Sequence, residues 1–260
     1  MTTSNPRPLP EQAPAVHALH VLTVNTHKGF SPLNRRFVLP ELRDAVRTLG
    51  ADVVFLQEVL GTHSAHGARY TNWSDVPQYE FLADSMWPVF AYGRNAVYPE
   101  GEHGNALLSK FPIVRHENLD VSVGGTEERG LLHSVLAVPG QPHVHTVCVH
   151  LGLREPHRQA QLRLLCELLD SLPTDAPVIV AGDFNDWLQR ADAVLERCGM
   201  TEVFTQLHGA PARSFPARLP FLRLDRIYLR NATAHQPQVL SRKPWSHLSD
   251  HVPLAVEVHL

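Results

Sequence analysis

The apolar residues of this chain fall into two spacings, and each predicts a different element. Short, mostly apolar runs predict buried strands, and apolar residues three or four apart predict helices. Leu19 to Asn25 reads as a buried strand. Val38, Leu42, Val46 and Leu49 follow at helical spacing, and Gly50 supplies the stop. Asp52 to Glu58 (DVVFLQE) is then an apolar run that ends in a carboxylate. The second half repeats this order. Leu162, Leu165, Leu169 and Leu172 predict a helix stopped by Pro173, Pro177 to Ala181 (PVIVA) predicts a buried strand, and Gly182-Asp183 closes it. Between these units, Asn105 to Ser109, Ile113 to Asp120, Leu131 to Val138 and Val144 to Val149 read as antiparallel strands. Leu224 to Leu229, Thr233 to Val239 and Pro253 to His259 complete the set. Many strands with few helices predict an α+β fold: a four-layer α/β/β/α sandwich of two mainly antiparallel sheets, with a pseudo-twofold relation between the halves.

Composition narrows the class. A chain of 260 residues that is 43% hydrophobic and 19% charged can bury a substantial core, which excludes collagen-like, coiled-coil and wholly disordered readings. No apolar run approaches the ~18–20 residues of a membrane span. Residues 1–15 carry Pro6, Pro8, Pro10 and Pro14 without an apolar core, so they read as a flexible tail rather than a signal peptide. Residues 16–260 read as a single domain. The net charge of −3 lacks the basic excess usual in chains that wrap nucleic acid, although a local groove can still be basic. Cys148, Cys166 and Cys198 are too few and too scattered for a disulfide framework or a cysteine-rich zinc site. Free thiols and a cytoplasmic location are the expectation. The 17 histidines show no paired zinc motif.

Six short segments then stand out, most of them where a predicted strand ends. They are Val24-Asn25-Thr26-His27, Gln57-Glu58-Val59, Val149-His150-Leu151, Gly182-Asp183-Phe184-Asn185-Asp186, Leu224-Asp225-Arg226-Ile227 and Ser249-Asp250-His251. Each joins an apolar strand to a polar residue that packing does not need, and strand ends on one edge of a sandwich can converge into one pocket. Asp183 and Asn185, two apart, can address one atom from the same side. An acid beside an imidazole, as in Asp250-His251, can fix a tautomer or raise its basicity. Taken singly, each segment also reads as an ordinary strand end, turn or cap. Only the set as a whole is distinctive.

In this order and spacing, Asn25, Gln57-Glu58, His150, Gly182-Asp183-Phe184-Asn185, Asp225 and Ser249-Asp250-His251 resemble the DNase I-like endonuclease/exonuclease/phosphatase superfamily across residues 18–260. His27-Lys28-Gly29-Phe30, the stretch from Gly93 to Gly101 and His150 to Glu155 further resemble its bacterial YbhP-like branch. The resemblance implies hydrolysis of a phosphate ester by an activated water with a divalent ion, Mg²⁺ or alternatively Mn²⁺. It implies Glu58 as principal metal ligand, Asn25 nearby, and Asp225 as a metal or supporting contact. Asp183 would orient or deprotonate the water, and Asn185 would hold the phosphoryl group. His150 would donate to a non-bridging oxygen. His251, steadied by Asp250, would contact the phosphate or share proton transfer. Some nuclease members carry an Asp where this chain has His27, which weakens a second ligand there; imidazole suits Mn²⁺ better than Mg²⁺.

Arg129 is a candidate phosphate clamp, balanced against a plain hairpin turn. Asn105 is a candidate for the pocket edge, against the simpler reading of a turn entering a strand. Arg213, Arg218, Arg223, Arg226 and Arg230, with Phe215, Phe221 and Tyr228, make a local run that reads as a solvated loop with core aromatics, or as an anionic or membrane-surface patch.

The function these residues imply is a metal-dependent phosphodiester hydrolase acting on a lipid-type or small phosphodiester. A nuclease acting on DNA or RNA is the alternative, and a phosphomonoesterase or a non-catalytic phosphate-binding relative ranks lower. A phosphate-ester substrate is therefore the expected partner, with nucleic acid or a lipid surface as possible further contacts and no protein partner evident.

Overall fold

The computed structural model describes residues 18–63, 70, 72–84, 86–125 and 127–260. The proline-rich segment 1–15 lies outside them. Twelve strands are present among the described residues. They are β1 (Ala18–Asn25), β2 (Val53–His63), β3 (Val89–Tyr98), β4 (Gly101–Ser109), β5 (Ile113–Asp120), β6 (Gly130–Leu136), β7 (Val144–His150), β8 (Val178–Asp183), β9 (Thr201–Glu202), β10 (Asp225–Arg230), β11 (Thr233–Val239) and β12 (Leu254–His259). Among the described residues, five α-helices join them: α1 (Leu39–Leu49), α2 (Gln78–Ala83), α3 (Glu155–Ser171), α4 (Ala191–Arg197) and α5 (Val203–His208).

The strands form two six-stranded sheets, ordered β11-β12-β1-β2-β4-β3 and β5-β6-β7-β8-β10-β9. The orders correspond strand for strand, which is the predicted pseudo-twofold relation. In each sheet the central pair is parallel, β1 with β2 and β7 with β8. The other pairings are antiparallel. Parallel neighbours need a crossover, and the helices at apolar spacing supply it: α1 between β1 and β2, α3 between β7 and β8. Val144 to Val149 was expected in an antiparallel setting; it is antiparallel to β6 but parallel to β8.

Strand alternation separates three apolar layers. Leu19, Val21, Val53 and Phe55 of the first sheet meet Leu132, Cys148, Ile179, Ala181 and Ile227 of the second. The opposite face of the first sheet, with Leu22, Val24, Val54 and Leu56, packs on Leu39, Leu42 and Val46 of α1. The opposite face of the second, with Val147, Val149, Val178 and Val180, packs on Leu162, Leu165 and Leu169 of α3. The central strands are buried on both faces, so they read as predominantly apolar runs. Gly50 closes α1 in the left-handed conformation, φ 67°.

One correction concerns the cysteines. Cys166 of α3 and Cys198 at the end of α4 are bonded, with Cα atoms 5.7 Å apart across 32 residues of sequence. Only Cys148 is free, and it is buried. The expected set of free thiols is therefore reduced to one, and the thiol argument for a reducing compartment lapses with it. No helix among the described residues is long and apolar enough to cross a membrane.

Candidate active site

The inward alternation that builds the central core continues one step past its last apolar residue. Val21 and Thr23 lead to Asn25, Phe55 to Gln57, Cys148 to His150, Ala181 to Asp183, and Ile227 back to Asp225. These polar ends therefore share the inter-sheet layer with the core. Register aligns them further: Asn25 pairs with Gln57, and His150, Asp183 and Asp225 form one row across three adjacent strands. The two rows meet where Asn25 Nδ2 donates to Asp183 Oδ2 at 3.1 Å. Below them Gln57 Nε2 reaches Thr23 Oγ1 at 3.2 Å and Cys148 Sγ at 3.3 Å, which ties the sheets together beneath the site.

Gly182 lets β7 and β8 approach closely enough for this row. Its φ is +148°, and a Cβ there would lie 1.9 Å from the Val149 carbonyl oxygen. The Asp183 carboxylate also accepts the Asn185 amide at 2.9 Å, and Asn185 takes φ 49°. The Asn185 side chain donates to the Leu151 carbonyl at 2.9 Å. Arg129 Nε donates to that same carbonyl at 3.2 Å, which brings the arginine to the site's margin.

His251 is held by Asp225, with Nδ1 2.7 Å from Oδ2. This corrects the expectation that the adjacent Asp250 steadies it. The Asp250 carboxylate instead lies 3.7 Å from His27 Nε2 and accepts from Ser249 Oγ at 3.3 Å. Ser249 Oγ also donates to the Asn25 carbonyl at 2.7 Å, so the last loop is fastened to the first strand. The reason lies in strand direction. Asp225 faces inward in the site row, whereas neighbouring residues on one chain diverge. Sequence reasoning missed two supports here. Ser214 Oγ accepts the Asp225 amide at 3.1 Å, and the Phe215 ring lies 4.9 Å from the His251 ring.

Glu58 sits at a break in the β2–β4 register between Leu56 and Val59, with φ 54°. Among the described residues none hydrogen-bonds its carboxylate, and its charge acts on Asp183. Asn105 departs from expectation: it is fully buried rather than at a pocket edge, donating to the Gly130 and Cys148 carbonyls at 3.0 and 3.3 Å. The arginine run does not form one patch. Arg226 is fully buried, with Nε 3.6 Å from Asp192 Oδ1 and Nη2 4.0 Å from Asp186 Oδ2. Arg230 caps the Leu169 carbonyl at 3.0 Å, and Arg223 binds the Pro211 carbonyl at 2.8 Å.

The electrostatics separate the site's two histidines. Burial, with Arg129, His251, His103 and Lys28 nearby, holds His150 well below the ordinary imidazole value, so it is neutral near pH 7. Burial alone would lower His251 as well, but Asp225, Asp183 and Asp250 outweigh it and hold the imidazole protonated. Burial raises the Asp183 carboxyl; Asp225 and Glu58 add to that, against His251 and the Asn185 amide. A neutral donor, a cationic donor and a carboxylate with raised proton affinity thus face one space.

The donor chemistry fits a divalent cation. Asp183, Asp225 and His251 are buried and offer one ligand atom each within 4.8 Å of one another, so this group could hold a metal ion. The Glu58 carboxylate adds charge beside it, and crowding of like charges around Asp183 is what a cation would relieve.

Comparison with known proteins identifies the family. The Endonuclease/Exonuclease/phosphatase family matches residues 22–251. A protein of Escherichia coli strain K12 named "Uncharacterized protein YbhP" is 59% identical over 243 residues, covering 92% of this chain and 96% of its own. A Shigella flexneri protein of the same name matches to the same extent. Among solved structures, an endonuclease/exonuclease/phosphatase from Beutenbergia cavernae superposes with a TM-score of 0.74 at 21% identity, covering 94% of this chain and 72% of that one. D. rerio TDP2 complexed with single strand DNA product gives 0.68 at 21% identity, covering 94% and 99%. Members of the matching family are generally metal-dependent phosphoester hydrolases. By the extent of that match and its 59% identical relatives, the chain belongs to the endonuclease/exonuclease/phosphatase family.

Proposed function

We propose that the protein is a divalent-metal-dependent phosphodiester hydrolase whose substrate is a lipid-type or small phosphodiester. The observation that carries the lipid-type reading is a set of exposed apolar side chains attached to the site's own segments. Leu153, Trp187, Leu188, Leu219 and Phe221 are between 45% and 75% exposed. Leu153 follows Leu151, whose carbonyl holds Asn185, and Trp187 and Leu188 follow Asn185 itself. Leu219 and Phe221 belong to the turn that starts at Phe215, against His251, and whose Ala217 amide donates to the Asp250 carbonyl. Single exposed apolar residues are ordinary; five on the segments that carry one polar site suit an apolar substrate or surface.

In this reading Glu58 would be the principal metal ligand, with Asn25 and Asp225 beside it. The Asp225–His251 hydrogen bond is kept intact for proton handling. When bound, the ion would offset phosphate charge and stabilise the leaving oxygen. Mg²⁺ suits an all-oxygen set and Mn²⁺ suits one that includes imidazole. Asp183 accepts the proton of the attacking water, consistent with its raised proton affinity. Neutral His150 and the second N–H of the Asn185 amide donate to non-bridging oxygens. Protonated His251 supplies a proton toward the leaving alcohol, and Arg129 offers a bidentate fork at the margin.

The test uses phospholipid vesicles beside soluble bis-p-nitrophenyl phosphate, with Mg²⁺ or Mn²⁺ and an EDTA control. Wild type is expected to cleave both. A Leu219→Ser/Phe221→Ser variant should lose vesicle turnover and keep the soluble ester. Cleavage of DNA or RNA without turnover of vesicles or small diesters would replace this reading with the nuclease one.

A further inference from the structure

The stretch from Gly93 to Gly101 carries none of the side chains assigned above, yet it reaches across to one of them. It covers the second half of β3 and the turn into β4. β3 is an edge of the first sheet, and β5 is an edge of the second. Contacts from the first sheet meet the second on both sides of Arg129. On one side, the Val97 amide donates to Glu128 Oε2 at 3.1 Å. On the other, Asn118 Nδ2 of β5 donates to the Arg94 carbonyl at 3.1 Å and to Asn95 Oδ1 at 3.0 Å, and this asparagine pair lies over Gly130. Asn105 Nδ2 holds the Gly130 carbonyl from beneath at 3.0 Å.

The local sequence explains how the edges meet. The β3–β4 register shifts between Arg94 and Ala96, so Asn95 is an extra residue, and a bulge of this kind re-aims a side chain. Two glycines leave room for the asparagine pair. A Cβ at Gly130 would lie 2.2 Å from Asn95 Oδ1, and one at Gly93 would lie 2.3 Å from Asn118 Oδ1. Arg129 itself donates from Nε to the Leu151 carbonyl at 3.2 Å and from Nη1 to the Glu128 carbonyl at 3.1 Å. The Leu151 carbonyl also holds Asn185, so the direction of the guanidinium is tied to the catalytic row. A long side chain whose fork is oriented in advance loses less freedom when it meets an anion.

We infer that Glu128 and Asn118, through Val97 and Asn95 of the first sheet, are positioning residues that fix the chain on both sides of Arg129 and aim its guanidinium at the substrate phosphate. The inference rests on the phosphodiesterase reading above and deepens it, because it names what sets the site's affinity for phosphate. The sign of the effect separates positioning from charge. Removing the Glu128 carboxylate would by charge alone favour an anionic substrate, whereas loss of positioning weakens its binding.

The test measures steady-state kinetics on bis-p-nitrophenyl phosphate, with nitrogen-edited NMR of the Arg129 Nε–H beside it. Glu128→Ala/Asn118→Ala should raise KM about tenfold and leave kcat within about twofold of wild type. Glu128 and Asn118 are exposed, so the melting midpoint should stay close to that of wild type. Glu128→Gln keeps an acceptor for the Val97 amide and should not raise KM. In an Arg129→Ala background the pair of alanines should add nothing, since they act through the arginine. The Arg129 Nε–H resonance should move in the alanine variant and stay in place in Glu128→Gln. An unchanged KM with an unmoved resonance, or the same loss in the Arg129→Ala background, would overturn the inference and leave the phosphodiesterase reading intact. A resonance that moves as expected in a protein whose wild type cleaves neither vesicles nor the soluble ester would keep the positioning of Arg129 and overturn the phosphodiesterase reading instead.

Discussion

Replacing Asp225 by Asn tests which carboxylate governs His251. The two side chains are 3% and 8% exposed and meet at 2.7 Å, so their hydrogen bond is charge-assisted and desolvated. Hydrogen bonds to charged groups are worth about 1.5–3 kcal/mol, and loss of the charge also frees the tautomer. At 1.4 kcal/mol per decade, kcat/KM on bis-p-nitrophenyl phosphate should fall at least tenfold and about a hundredfold at the upper end. Asp250 is 28% exposed at its side chain and lies against His27, so Asp250→Asn should cost less than fivefold. NMR titration of the imidazoles gives a reading independent of turnover. Asp225 is the first of the charges that raise His251, so its loss should move the His251 titration down markedly, whereas Asp250→Asn should move it little. Equal effects from the two variants, or Asp225→Asn within threefold of wild type, would refute the pairing argument.

Other expectations follow from the same geometry. Gly182→Ala should destabilise the fold by roughly 3 kcal/mol or more, because the added carbon meets a backbone oxygen at 1.9 Å in a positive-φ position; a melting midpoint within a degree of wild type would contradict this. His103 and His145 are both lowered to about 4, chiefly by burial, against 6.5 in an open chain. Between those values the unfolded state binds more protons, so the contribution of these two histidines to stability should be flat above pH 6.5 and decline from there toward pH 4. Thermal melts at several pH values check this, and His145→Gln should flatten part of the decline. Burial pushes the Cys148 thiol up to about 12, and Cys166 and Cys198 are bonded. Thiol counting should therefore find none reactive in the native protein, one after unfolding without reductant, and three after unfolding with it. More than one before reduction would remove the disulfide.

The elements that could be read from sequence were those buried on both faces. β2 and β8 open with continuous apolar runs and β1 is apolar up to Asn25 apart from His20 and Thr23, because each is covered by the opposite sheet and by a helix. Their polar ends were visible for the same reason, since Asn25, His150 and Asp183 extend the inward face past the point where apolar residues stop. What stayed hidden depends on contacts across the fold. β3 mixes exposed and half-buried residues at a sheet edge and shows no clean alternation. α2, α4 and α5 span six or seven residues, too few for helical spacing to stand out. The Cys166–Cys198 bond joins the long α3 to the end of the short α4 across 32 residues, and no local pattern announces it. The partner of His251 is not legible locally, because adjacency in sequence is not adjacency in space. Asp225, 26 residues away, reaches the imidazole because β10 begins in the same row as Asp183. Glu58 was placed by its carboxylate at the end of an apolar run, yet its position comes from a register break and a positive φ that the run does not display. The chemistry of the site is thus written in the last inward residue of each central strand, while the identity of each residue's partner is set by strand register.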